Sequence, residues 1–171
     1  MNTQRMVRTR LFAALAGALL LTSCSTADAD DPHVTDRRTS HWGKGVGAPE
    51  ASAFMKVKVP EGATEVKGAV QVNPQEDVYL LSFVTDWKNA EQIAADLRSE
   101  TPLHPKKYDL PPTTELFGHL GLTEPQTLKG VRWAGVCPPC VSDQRRSEVA
   151  WIETYVHSQA QGKARVYLKA F

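Results

Sequence analysis

The chain has 171 residues, 42% of them hydrophobic and 23% charged, which suits one domain with flanking segments and is short of two. Twenty basic residues face nineteen acidic ones; Arg5, Arg8 and Arg10 lie in a segment read below as removable, so seventeen remain and the remainder is nearly neutral. That balance excludes the concentrated positive field that nucleic acid requires, and the pairs Arg37-Arg38, Lys106-Lys107 and Arg145-Arg146 are expected to be solvated surface.

At the N-terminus the three arginines precede an uncharged run from Leu11 to Leu21, the n-region and h-region pattern of a secretory signal. Eleven apolar residues make about 16 Å of helix, against a hydrocarbon core of about 30 Å, so the run is a removable signal and not a permanent span. No adjacent Arg-Arg precedes it, which favours the general secretory route. Next stands Leu21-Thr22-Ser23-Cys24, which resembles the lipobox of bacterial lipoproteins, a branched apolar residue and two small ones before a cysteine. The resemblance implies that residues 1–23 are cut away, that the Cys24 sulfur is the lipidation site, and that the membrane is a partner reached through that lipid. Two or more acyl chains suffice for a stable anchor, where one is marginal.

From Ser25 to Ser52 the composition is rich in Asp, Ser, Thr, Gly, Ala and Pro and offers little apolar surface to offset chain entropy. Residues 24–52 are therefore expected to form a lipid-anchored flexible linker. Gly43, Gly45 and Gly47 do not make a phosphate loop, because the last glycine of the dinucleotide pattern and its flanking strand are missing. Trp42 is expected to be a surface aromatic of the tether or a small contact with the domain.

Residues 53–171 read as a single α+β domain. Met55, Val57 and Val59 alternate with lysines, and Val66 to Val72 follows a Pro60-Glu61-Gly62 turn; both read as half-buried strands. Val78 to Val84 is apolar on both faces and belongs at the centre of the sheet. Asn89 and Gln92 have capping-box spacing, and Ala90, Ile93, Ala94 and Leu97 share one face of a helix running to about Ser99. Pro102, Pro105, Pro111 and Pro112 enforce a loop, after which Thr113 or Thr114 caps a short helix stopped by Gly121. Strands are predicted at Val131 to Val136, Val149 to His157 and Ala164 to Phe171, the last two as a hairpin. The expected fold is a mainly antiparallel sheet of about five to six strands, with one longer and one short helix packed on one face. The run Val59 to Val66, with the later Leu120-Gly121-Leu122, Cys-Pro-Pro-Cys segment and terminal hairpin, resembles small lipoproteins of actinobacteria, a resemblance that brings no assigned activity.

Cys137-Pro138-Pro139-Cys140, with Trp133-Ala134 before it, superficially resembles the active site of thioredoxin-like proteins. Those proteins place the first cysteine at a helix start and follow it with a long second half containing a cis-proline, whereas here 31 residues follow Cys140 and none is proline. A zinc site would need two more ligands, and His33, His41, His104, His119 and His157 are dispersed. A structural disulfide is the expected state, because an exported chain meets an oxidising compartment. The competing reading is a thiol-disulfide redox protein using Cys137 and Cys140.

No nucleophile-elbow, zinc-protease, phosphate-loop or EF-hand pattern occurs, so no catalytic residue, cofactor or metal is assigned. Asp86, His104, Asp109, Glu115, His119 and Glu153 have no spacing that selects any pair. The expected role is that of an extracytoplasmic, membrane-anchored binding or accessory module of the cell envelope, meeting an envelope partner through the exposed sheet face or the 101–112 loop. Trp87, Tyr108, Trp133 and Trp151 are its candidate contacts.

Overall fold

The computed structural model describes residues 39–99, 101–105 and 114–171. The signal segment, Cys24, Arg37-Arg38, Lys106-Lys107, Tyr108 and Asp109 lie outside the described residues. Period-two alternation builds the long strands: β2 (Thr64–Val72), β3 (Val78–Asp86), β5 (Arg132–Val136), β6 (Ile152–Ser158) and β7 (Lys163–Ala170). Two-residue strands, β1 (His41–Trp42) and β4 (His104–Pro105), close the two edges. The result is a seven-stranded sheet in the order β1-β2-β3-β7-β6-β5-β4, with every neighbouring pair antiparallel. The expectation of five to six strands is corrected by those edge pieces, which are too short to carry a pattern.

β3 and β7 join the two halves through eight consecutive pairs, from Tyr79↔Ala170 to Asp86↔Lys163. Each is paired on both sides; β3 is apolar on both faces, as the Val78–Val84 run implies, whereas β7 is apolar on one face and carries Arg165, Tyr167 and Lys169 on the other. On one face Leu81, Phe83, Val166, Leu168, Ile152 and Val156 pack against α1 (Ala48–Met55) and α2 (Trp87–Asp96), through Ala51, Met55, Ala90 and Ala94. On the other face Leu80, Tyr155 and Tyr167 meet Phe117, with Leu116, Leu120 and Leu128 around them.

Three local expectations are corrected. Residues 41–52, read as tether, are built into the domain as β1 and most of α1. Pro49 stands in the first turn of α1, and the Glu50 carboxylate accepts the Gly47 N–H at 2.6 Å, satisfying a donor the helix start leaves free. The Gly47 N–H, with the backbone N–H of Glu50 itself, holds the Glu50 carboxyl below its ordinary range. The Met55–Val59 alternation is not a strand: Met55 ends α1, Lys56 turns left-handed at φ 52°, and Val57 enters the core from a strap that pairs with no strand among the described residues. The short helix after the proline loop is a single 3₁₀ turn, Phe117–Leu120, closed by left-handed Gly121, and it covers the face opposite α1 and α2.

Helix α2 begins straight out of β3 at Trp87, two residues before the expected cap; Asn89 instead donates its side-chain N–H to the Thr85 hydroxyl at 3.1 Å. Gly68 of β2 lies beneath the start of α1, where an added Cβ would stand 2.4 Å from Ala48 Cα. Only a glycine admits so close a crossing. β2 also bulges between Thr64 and Lys67, and the left-handed Glu65 in that bulge reaches an ion pair with Arg165. The β6–β7 hairpin turns through Gln161 and Gly162, both with positive φ, as a tight antiparallel turn requires.

Candidate functional site

Strand β5 runs out at Val136 and delivers Cys137 to the start of a compact turn. Cys137 and Cys140 are disulfide-bonded, with their Cα atoms 5.2 Å apart. Two consecutive prolines, which have no N–H to satisfy, occupy the positions between them. The N–H groups of Cys140 and Val141 both donate to Cys137 O, at 3.0 and 3.2 Å, and the Asp143 N–H donates to Pro138 O at 2.9 Å. Cys137 is half-buried and Cys140 exposed. The pair therefore sits on a strand end and a hydrogen-bonded turn, without the helix start that lowers a catalytic thiol's pKa in thioredoxin-like proteins.

Beyond the turn stands the most heavily partnered side chain of the described residues, Arg146. It is 1% exposed, where a solvated surface pair had been expected at Arg145-Arg146; that expectation holds only for Arg145. The Arg146 guanidinium donates from Nη1 to Asp143 Oδ2 and from Nη2 to Asp96 Oδ2, each at 2.6 Å. It also donates to the carbonyls of Met55 at 2.8 Å, Lys56 at 3.1 Å and Asp96 at 3.2 Å. Two carboxylates and three carbonyls thus occupy the donors of a planar fork. The carbonyls come from the C-terminal ends of α1 and α2, which carry unsatisfied acceptors and a partial negative charge. One cation closes both helices and ties them to the disulfide turn.

Burial works against ionisation of Asp96 and Asp143, but hydrogen bonds and charge from Arg146 and Arg145 outweigh it and hold both carboxyls below the ordinary range. Arg145 adds an ion pair to Asp96 at 3.2 Å from an exposed position.

The remaining candidates disperse over the domain. Asp86 pairs with Lys163 at 2.8 Å, Glu153 with Lys169 at 2.9 Å, and His104 meets the Trp133 ring edge-on at 5.2 Å. Exposed His119 stacks on Trp42 at 3.8 Å, so Trp42 docks on the domain as part of β1. Glu115 is exposed and makes no group with the others. Trp87 is half-buried beneath the Arg132 guanidinium, 5.6 Å from its ring centroid. Trp133 and Trp151 come together at Gly135. Among the described residues no group of three metal-ligating side chains occurs, and no helix is long and apolar enough to cross a membrane. Comparison with known proteins matches no family, no curated relative and no solved structure.

The sequence reading missed Arg146 because its partners lie 50 and 91 positions away. The available hint was Asp143, three residues before Arg146, a spacing that brings opposite charges together in one turn.

Proposed function

We propose that the protein is a lipid-anchored extracytoplasmic module of the cell envelope, held to the membrane through Cys24 and acting by binding a partner. The observation that carries this reading is Thr22-Ser23-Cys24 placed directly after three arginines and an eleven-residue apolar run that ends in Leu21. The Cys137–Cys140 disulfide supports it, because such bonds persist in oxidising compartments outside the cytoplasm. We read that disulfide as structural, since its cysteines lie on a turn stitched by backbone hydrogen bonds and followed by a fully paired arginine.

The test is metabolic labelling with a fatty acid, together with fractionation of cells producing the wild type and Cys24→Ala. The wild type is expected in the membrane fraction with acyl label. The variant should lose the label and leave the membrane fraction. A Cys24→Ala protein that kept both would end the proposal.

A further inference from the structure

We propose that Arg165, beside the β2 bulge, is a docking point for a carboxylate side chain on an acidic peptide segment of a partner protein, and that Glu65 holds the place until the partner arrives. This names a ligand for the binding-module reading and rests on its binding half alone.

Arg165 lies in β7 between Val84 of β3 and His157 of β6, on the sheet face away from α1 and α2. Its side chain is 10% exposed. The guanidinium donates from Nη2 to Glu65 Oε2, while Nη1 is the one buried side-chain nitrogen or oxygen among the described residues without a hydrogen-bond partner. A buried donor left unmet is costly, and native proteins meet such groups with a side chain, a water or an ion. A guanidinium fork is best met by a carboxylate that takes two of its N–H groups together. Glu65 reaches only one.

Glu65 is placed to yield. It stands in the β2 bulge at φ 50°, the left-handed region that a residue with a Cβ rarely adopts, and its side chain is 58% exposed. Its carboxylate can swing into water without disturbing the core, whereas the buried Arg165 stays where the sheet holds it. Glu65 thus shows which chemical group the guanidinium accepts, and it competes with an incoming one.

The neighbours set the rest of the ligand's chemistry. Lys67 donates from Nζ to Leu120 O at 2.9 Å and has no carboxylate partner among the described residues. Lys163 and Asp86, at the same end of the face, pair at 2.8 Å and cancel. Arg165 and Lys67 against Glu65 therefore leave an excess of one positive charge. Val66, between Glu65 and Lys67, is one of two large apolar side chains that the described residues leave exposed. One charge beside one aliphatic side chain suits a peptide that carries carboxylates between aliphatic residues. An anionic membrane, held through several exposed bases at once, finds too few here.

The test is titration with a blocked peptide of alternating glutamate and valine, with the glutamine–valine peptide as its uncharged control. Calorimetry gives the affinity, and NMR follows the Arg165 Nε–H and the backbone amides of residues 64–67. The acidic peptide should bind saturably, moving those resonances, and the control peptide should not. Glu65→Ala should bind the acidic peptide at least about tenfold more tightly, because an internal competitor lowers apparent affinity by the fraction of time it leaves the site free. Glu65→Gln should gain less, since its amide oxygen still accepts from Nη2. Adding Arg165→Gln to Glu65→Ala should abolish binding; the two Glu65 variants keep Arg165 and decide the matter even where that double variant does not fold. The proposal is overturned if Glu65→Ala binds no acidic peptide up to about 10 mM, if it binds no more tightly than the wild type, or if the control peptide binds equally well. A protein that fails in these ways yet stays acyl-labelled at Cys24 would sink this inference and leave the anchoring reading standing.

Discussion

Replacing Arg146 by alanine removes the guanidinium that joins α1, α2 and the disulfide turn. The side chain has no solvent exposure, and its loss leaves Asp143, itself 2% exposed, with only the weaker contacts from Arg145. The carbonyls of Met55 and Lys56 lose the donor that Arg146 supplies. Breaking one partner out of a buried ion pair costs about 3–5 kcal/mol, because a charge stays buried without compensation. Domain stability is commonly about 5–15 kcal/mol, so the variant should sit close to the edge of folding. Urea unfolding followed by tryptophan emission measures the loss, and thermal unfolding should fall by roughly 10–20 °C.

Arg146→Lys keeps the charge but replaces a planar fork with a single ammonium, and should recover less than half of the deficit. Arg145→Ala is the control: its guanidinium is exposed and its ion pair screened by water, so its loss should leave the unfolding midpoint close to that of the wild type. A loss below about 1 kcal/mol for Arg146→Ala, the range of an ordinary surface arginine, would refute the account of that residue as the tie between the two helices.

Reducing the Cys137–Cys140 bond should cost about 2 kcal/mol or less by urea unfolding, because a loop closed over a sequence separation of three constrains the unfolded chain little. Its reduction potential, measured against glutathione, should be very negative; a value near those of oxidising catalysts would favour the redox reading. Gly68→Ala should destabilise by about 1–3 kcal/mol, since the new Cβ meets Ala48 backbone at 2.4 Å and α1 must shift; unchanged stability would show that this crossing has slack. Asp96 and Asp143 titrate below their unfolded value of about 3.9, so their contribution is complete above pH about 4 and is lost as pH falls through their lowered folded values. An Asp143→Asn variant should lose part of that acid dependence, and an identical pH profile would count against the assignment.

Which features the sequence disclosed follows from the range of the interactions that fix them. The five long strands are legible because alternation is local: Val166, Leu168 and Ala170 point to one face and Arg165, Tyr167 and Lys169 to the other. β1 and β4 are set by pairing with Val72 and Trp133, not by their own two residues. Met55, Val57 and Val59 show why alternation alone is not enough; all three are wholly or partly buried, but no strand among the described residues pairs with the strap. The prolines before Phe117 and the glycine after it disclosed a short element and its left-handed stop at Gly121, while the face it covers is set by packing against Leu80, Tyr155 and Tyr167, far away in sequence. At the candidate site, the Cys-Pro-Pro-Cys segment was visible as a motif. The convergence of Trp133 and Trp151 on Gly135 was not, because Trp151 stands sixteen positions from the glycine and meets it only through the β5–β6 pairing.

The disulfide and the buried arginine act on the same connection in different states. The covalent bond limits the unfolded chain only weakly, yet it fixes a turn whose Pro138 carbonyl accepts the Asp143 N–H and so sets the carboxylate that Arg146 must meet. Arg146 contributes only once Met55, Lys56 and Asp96 have arrived from the two helices, which makes it a term of the assembled domain. A catalytic disulfide must open and close without disturbing its scaffold. Here, opening it would loosen the loop that positions Asp143, and with it the closure of both helices. That linkage supports the structural reading of the two cysteines, because the turn they close is the one that presents Asp143 to Arg146.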